Sequence, residues 1–102
     1  METTYAAYWP RAPRALSTQP TAPRLDSLSG QKIAFLWDYL FRGDEVFAIL
    51  KRELSARFPG VAFVGPDEFG STHGSDEREV MAALPAKLSE HKVAAVISGM
   101  GC

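Results

Sequence analysis

The sequence predicts an α/β fold: a β-α-β-α-β portion of a doubly wound, Rossmann-like parallel sheet, preceded by a disordered N-terminal tail. Three observations predict it. Short apolar runs stand at residues 32–37, 61–64 and 93–98, and two segments between them repeat apolar residues at spacings of three and four. Proline and arginine, by contrast, concentrate before residue 28. Buried parallel strands read as near-continuous apolar runs, and strand–helix alternation implies right-handed crossovers.

The tail comprises residues 1–28. Pro10, Pro13, Pro20 and Pro23 interleave with Arg11, Arg14 and Arg24. Such a stretch supports neither helix nor sheet ladders and lacks the clustered apolar groups that would offset the entropy of ordering it. Tyr5, Tyr8 and Trp9 give it a means of docking on a neighbouring subunit, so a homo-oligomer is among the expected partners. The plainer reading is a mobile arm with a few sticky residues. The tail has no apolar segment of signal-peptide type, which makes the cytoplasm the expected compartment.

After Ser29-Gly30, Lys32-Ile33-Ala34-Phe35-Leu36-Trp37 is the first strand, and Asp38–Gly43 a loop. Asp44 is the expected cap of the first helix, with Glu45 near its positive end. Phe47, Leu50, Leu54 and Phe58 mark that helix's buried face; Lys51, Arg52, Glu53 and Arg57 are solvated, and Pro59-Gly60 ends it. Val61–Val64 is the second strand. A long loop from Gly65 to Gly74 follows, and Ser75 is the expected cap of the second helix. Val80, Met81, Leu84 and Leu88 are its expected buried face, with a kink or restart at Pro85 and His91 near its negative end. Val93–Ser98 is the third buried strand.

Composition narrows the function. With 102 residues the chain fits one domain at most, and 11 basic against 12 acidic residues argue against nucleic acid. No apolar run approaches the roughly 20 residues of a membrane span. A single cysteine excludes an internal disulfide scaffold. Residues 29–102 are few for a self-sufficient sheet buried on both faces, so an incomplete α/β domain is expected, either the N-terminal part of something larger or one subunit of an interlocked complex.

Ligands of open parallel sheets bind beyond the carboxyl ends of the strands. Here those ends carry Asp38 and the segment Gly99-Met100-Gly101-Cys102. Asp38, Gly99 and Gly101 are the candidate substrate-binding residues, since glycines bring backbone N–H groups close to a ligand. Cys102 is a candidate reactive thiol, because a cysteine at a helix N-terminus has its thiolate stabilised; a plain terminal cysteine is the alternative. His73, in the long loop, is the candidate general base that activates a thiol or selenol; a loop histidine without a role is the alternative. Asp67, Asp38, His73 and Cys102 lack ligand spacing, so no metal and no cofactor is expected.

The run Lys32–Trp37, then Gly43-Asp44, Phe58-Pro59-Gly60-Val61 and Val93-Ala94-Ala95-Val96-Ile97-Ser98-Gly99-Met100-Gly101 resembles the UGSC family, over roughly residues 24–102. The family is named for a selenocysteine-Gly-Ser-Cys motif, with cysteine in place of selenocysteine in many members; the motif itself is not in this sequence. It is similar to the selenocysteine-x-x-Cys of the selenoprotein B components of glycine, sarcosine and betaine reductases. The resemblance implies a selenol- or thiol-dependent oxidoreductase acting on a small-molecule substrate with a thiol redox partner. It places Gly99 to Cys102 in the four positions before the selenocysteine. The expectation is thus a selenoprotein reading frame stopped at a UGA codon, inactive alone, with Cys102 a neighbour of the nucleophile. The alternative from another class is a non-catalytic α/β binding subunit that completes its sheet with a partner chain, using its glycine-rich edge for an anionic ligand or its tail for a partner.

Overall fold

A central strand, β1 (Lys32–Trp37), carries the core, with all four of its interior residues buried. The computed structural model describes residues 2–12 and 17–101. After β1 come helix α1 (Gly43–Arg57), strand β2 (Ala62–Val64), a short 3-10 turn (Pro66–Glu68), helix α2 (Glu77–Glu90) and strand β3 (Ala95–Gly99). The three strands make a parallel sheet in the order β2-β1-β3. The expected α/β alternation is therefore present, with β1 between its two sequence successors.

The pleat of β1 sends its side chains to two faces. On one face Phe35 stacks on Phe47 of α1 at 4.6 Å between ring centroids and on Phe63 of β2 at 5.2 Å. On the other, Ala34 and Leu36 form a buried cluster with Val64 and Phe69, against which Leu84, Leu88 and Val93 pack. The two helices thus cover opposite faces of the sheet. Each fully buried aromatic or aliphatic side chain contributes about 1.5–3 kcal/mol, so β1 and its neighbours dominate the stability.

The helix starts differ from expectation. Neither Asp44 nor Ser75 caps: α1 starts at Gly43 behind Arg42, α2 at Glu77 behind Asp76, and neither Arg42 nor Asp76 makes a side-chain capping bond. The cause at α1 is tertiary. Trp37 donates its indole N–H to Leu40 O at 3.0 Å, and its ring lies where a Cβ on residue 43 would stand. Only glycine fits there, so the helix begins one residue before the acid. Tyr39 and Phe41 take left-handed conformations, φ 60° and 55°, to make this turn.

Of the two outcomes expected at Pro85, a kink or a restart, the restart does not occur: helix α2 is continuous through it. It ends in a Schellman motif: Lys92 N–H bonds Ser89 O at 3.1 Å and Val93 N–H bonds Leu88 O at 3.1 Å, with Lys92 left-handed at φ 56° where glycine is usual. Leu88 and Val93, the hydrophobic pair of that motif, both pack on the core.

The third strand is shorter and less covered than expected. In register, Val96 and Ser98 lie beside Ala34 and Leu36, on the α2 side of the sheet. Helix α2 packs over the β1–β2 cluster, leaving Val96 41% exposed. No residue of α2 is fully buried, and Met81, expected on its inner face, is exposed. Residues 2–12 and 17–28 have no helix or strand, and Tyr5, Tyr8 and Trp9 are exposed. No helix of the described residues is long and apolar enough to cross a membrane.

Candidate functional site

The carboxyl ends of β1 and β3 lie side by side, with Trp37 paired to Gly99. One residue on, Asp38 donates its backbone N–H to Gly99 O at 3.1 Å. A third segment joins them: Ser71 makes a parallel bridge to Trp37, and Thr72 N–H bonds Trp37 O at 3.0 Å. The Ser71 hydroxyl donates to Asp38 O at 3.5 Å and accepts His73 N–H at 3.2 Å. The long loop before α2 is thereby drawn in beside the end of β1.

These segments border an open cavity of about 420 Å³ lined by Asp38, Thr72, His73, Ser98, Gly99, Met100 and Gly101. Four of the expected site residues, Asp38, His73, Gly99 and Gly101, are brought together on its wall. Cys102 lies outside the described residues.

Asp38 is only 7% exposed, and its carboxylate is committed to the backbone. Oδ1 accepts the N–H groups of Leu40 and Met100, each at 3.1 Å; Oδ2 accepts Gly101 N–H at 3.0 Å. Burial by itself pushes the carboxyl up, but the N–H groups of Met100, Leu40 and Gly101, together with its own, hold it below its ordinary value. At neutral pH it is a fixed anion and acceptor, and no proton donor.

The two glycines are unequal. Gly101 adopts φ +90°, where a side chain is strained. Gly99 is the last residue of β3, and a Cβ there would meet the Phe47 ring at an ordinary 3.8 Å. Of the two, Gly101 is the one whose backbone conformation requires glycine.

His73 has an acidic neighbour, Glu77, that the sequence does not single out. Glu77, one turn away, brings Oε2 to 3.9 Å from Nδ1, with both side chains more than half exposed. Thr72 and Ser98, likewise not singled out, add two hydroxyls to the cavity wall. Their only sequence signal was adjacency to His73 and Gly99. His91 sits at the other end of α2, with Nε2 3.8 Å from Glu68 Oε2 and its ring edge-on to Phe69, away from the cavity. Among the described residues, no three His, Cys, Asp or Glu side chains gather as a metal site.

Comparison with protein-family models, with curated proteins and with solved structures returns no match to this chain.

Proposed function

We propose that residues 29–102 are the N-terminal part of a UGSC-type selenol- or thiol-dependent oxidoreductase with a Rossmann-like sheet. It acts in the cytoplasm on a small-molecule substrate, with a thiol redox partner as electron source. The observation that carries this reading is the cavity between the ends of β1 and β3. The Asp38 carboxylate fixes its Gly99–Gly101 wall, and the family's chalcogen pair would follow that wall in the chain. In the order β2-β1-β3 with helices on opposite faces, this is the crevice where the crossovers diverge and where such sheets bind ligands.

The residues then take these roles. His73 accepts the proton of the selenol or thiol, giving the anion that attacks. Gly99 and Gly101 let substrate approach the main chain closely. The anion bonds an electrophilic carbon of the substrate and displaces its leaving group. The second chalcogen of the motif then attacks the first, forming a selenenyl sulfide or disulfide and expelling the substrate carbon with the bond's electron pair, which takes up a proton. An external dithiol reduces the new bond and is itself oxidised to a disulfide. Cys102 stands next to the nucleophile.

The coding sequence beyond the Cys102 codon tests this reading. An in-frame UGA followed by Gly-Ser-Cys codons is the expected result; UAA or UAG at that position overturns it.

A second reading has its own observation. Strand β3 is at the sheet edge with Val96 uncovered, which suits a binding subunit that completes its sheet on a partner chain. Co-purification distinguishes them, since this reading requires a stable 102-residue chain that is isolated together with a partner.

A further inference from the structure

Three backbone N–H groups from two distant turns converge on one carboxylate. Leu40 belongs to the turn after β1; Met100 and Gly101 belong to the turn after β3. Convergent main-chain N–H groups of this kind, opened by a glycine at positive φ, bind small anions. Here the anion is part of the chain. The N–H of Asp38 itself also faces the carboxylate, so its roughly four acceptor positions are largely taken from within the chain. Among the described residues the cavity wall carries no Lys or Arg, and otherwise offers Thr72, Ser98 and the His73 imidazole.

We propose that the N–H groups of Leu40, Met100 and Gly101 form a carboxylate-binding nest plugged by Asp38, and that the adjoining cavity consequently takes a hydrogen-bond-donating ligand without net negative charge. An incoming anion finds the nest's donors already consumed and meets a buried carboxylate. A donor meets the attraction of that carboxylate and the hydroxyl oxygens of Thr72 and Ser98. This departs from the anionic ligand expected of a glycine-rich edge. It rests on the reading above only in taking this cavity as the substrate site.

Removing the plug should expose the nest. In the full chain, Asp38→Ala is titrated with sodium formate against sodium chloride at fixed ionic strength, reading the backbone amide resonances of Leu40, Met100 and Gly101. Saturable shifts at all three are expected in the variant, with affinity at least about tenfold above that of the unaltered chain. Equal affinity in the two proteins, or a folded variant without saturable shifts, overturns the proposal. Should Asp38→Ala be mostly unfolded, its folded fraction is followed instead. Formate then raises it over chloride by linkage, and no formate-specific gain overturns the proposal. In the unaltered chain, inorganic phosphate is expected to give no saturable shift at Thr72, Ser98 or Gly101; saturation there overturns the exclusion of anions. These readouts need no turnover and are unaffected by the codon after Cys102, so the two readings fail separately.

Discussion

The α1 side of the sheet and the β3 edge are built on different principles. On the α1 side, Phe35, Phe47 and Phe63 stack ring on ring, and Trp37 meets Phe47 edge-on at 6.3 Å. Order there comes from aromatic burial. At the β3 edge no side chain is fully buried, and the terminal segment is held by hydrogen bonds to a single carboxylate. Dispersion and apolar burial spread a side chain's contribution over many neighbours, so packed regions tolerate no vacancy. A hydrogen-bonded edge leaves room for a cavity but depends on one group. The packed side supplies the platform, and the sparse side supplies the site.

The largest effect should come from emptying the packed side. Phe47→Ala is expected to cost about 3–5 kcal/mol in urea unfolding, and Leu84→Ala, on the half-buried face of α2, less than about half of that. Equal losses would break the comparison. Next, Gly43→Ala pushes a methyl group into the Trp37 indole. About 1–3 kcal/mol should be lost, with a changed near-ultraviolet signal from the displaced tryptophan. An unchanged spectrum would contradict the account of why α1 starts there.

A gain is expected at Lys92. Its left-handed conformation costs a side-chain residue about 1 kcal/mol, so Lys92→Gly should raise the thermal midpoint by a few degrees. A fall in the midpoint would mean that the Schellman motif is not the strained end of α2.

The smallest effect is one of acid. Because the Asp38 carboxyl is held below its ordinary value, the folded state gains from its ionisation. That gain is complete above the unfolded-chain value of about 3.9 and is lost as pH falls through the folded one. The stability gap between the unaltered chain and Asp38→Asn should therefore be widest at neutral pH and narrow below about pH 4. Urea midpoints at pH 7 and pH 3 measure it, and a gap constant across that range contradicts the assignment.

The alternation of strands and helices was legible because it is written in local periodicity: the run Lys32–Trp37 and the spacing of Phe47, Leu50 and Leu54 need no tertiary information. The helix starts were not legible, because Gly43 is fixed by an indole six residues earlier whose position depends on the folded turn. The exposure of Val96 depends on where α2 lies, and an apolar run carries no record of its cover. At the site, sequence placed Asp38, His73, Gly99 and Gly101 at strand ends or in the long loop, and the fold gathers them. What Asp38 does there was hidden, since two of its partners stand 62 and 63 positions away. Glu77 was visible four positions after His73, but His73 lies before α2 begins, and the turn closed by the Glu77 N–H on Gly74 O is what brings the two side chains near each other.

The central structural claim is that one carboxylate, and not packing, orders the cavity wall. Native-state hydrogen exchange of the Met100 and Gly101 amides, in the unaltered chain and in Asp38→Asn, measures it most directly, with the amides of Ile33 to Leu36 as the packed control. A neutral side chain with one acceptor oxygen should release one of the two amides, speeding its exchange by about tenfold while the β1 amides keep their protection. Unchanged exchange at both Met100 and Gly101, or an equal loss throughout β1, would contradict the account.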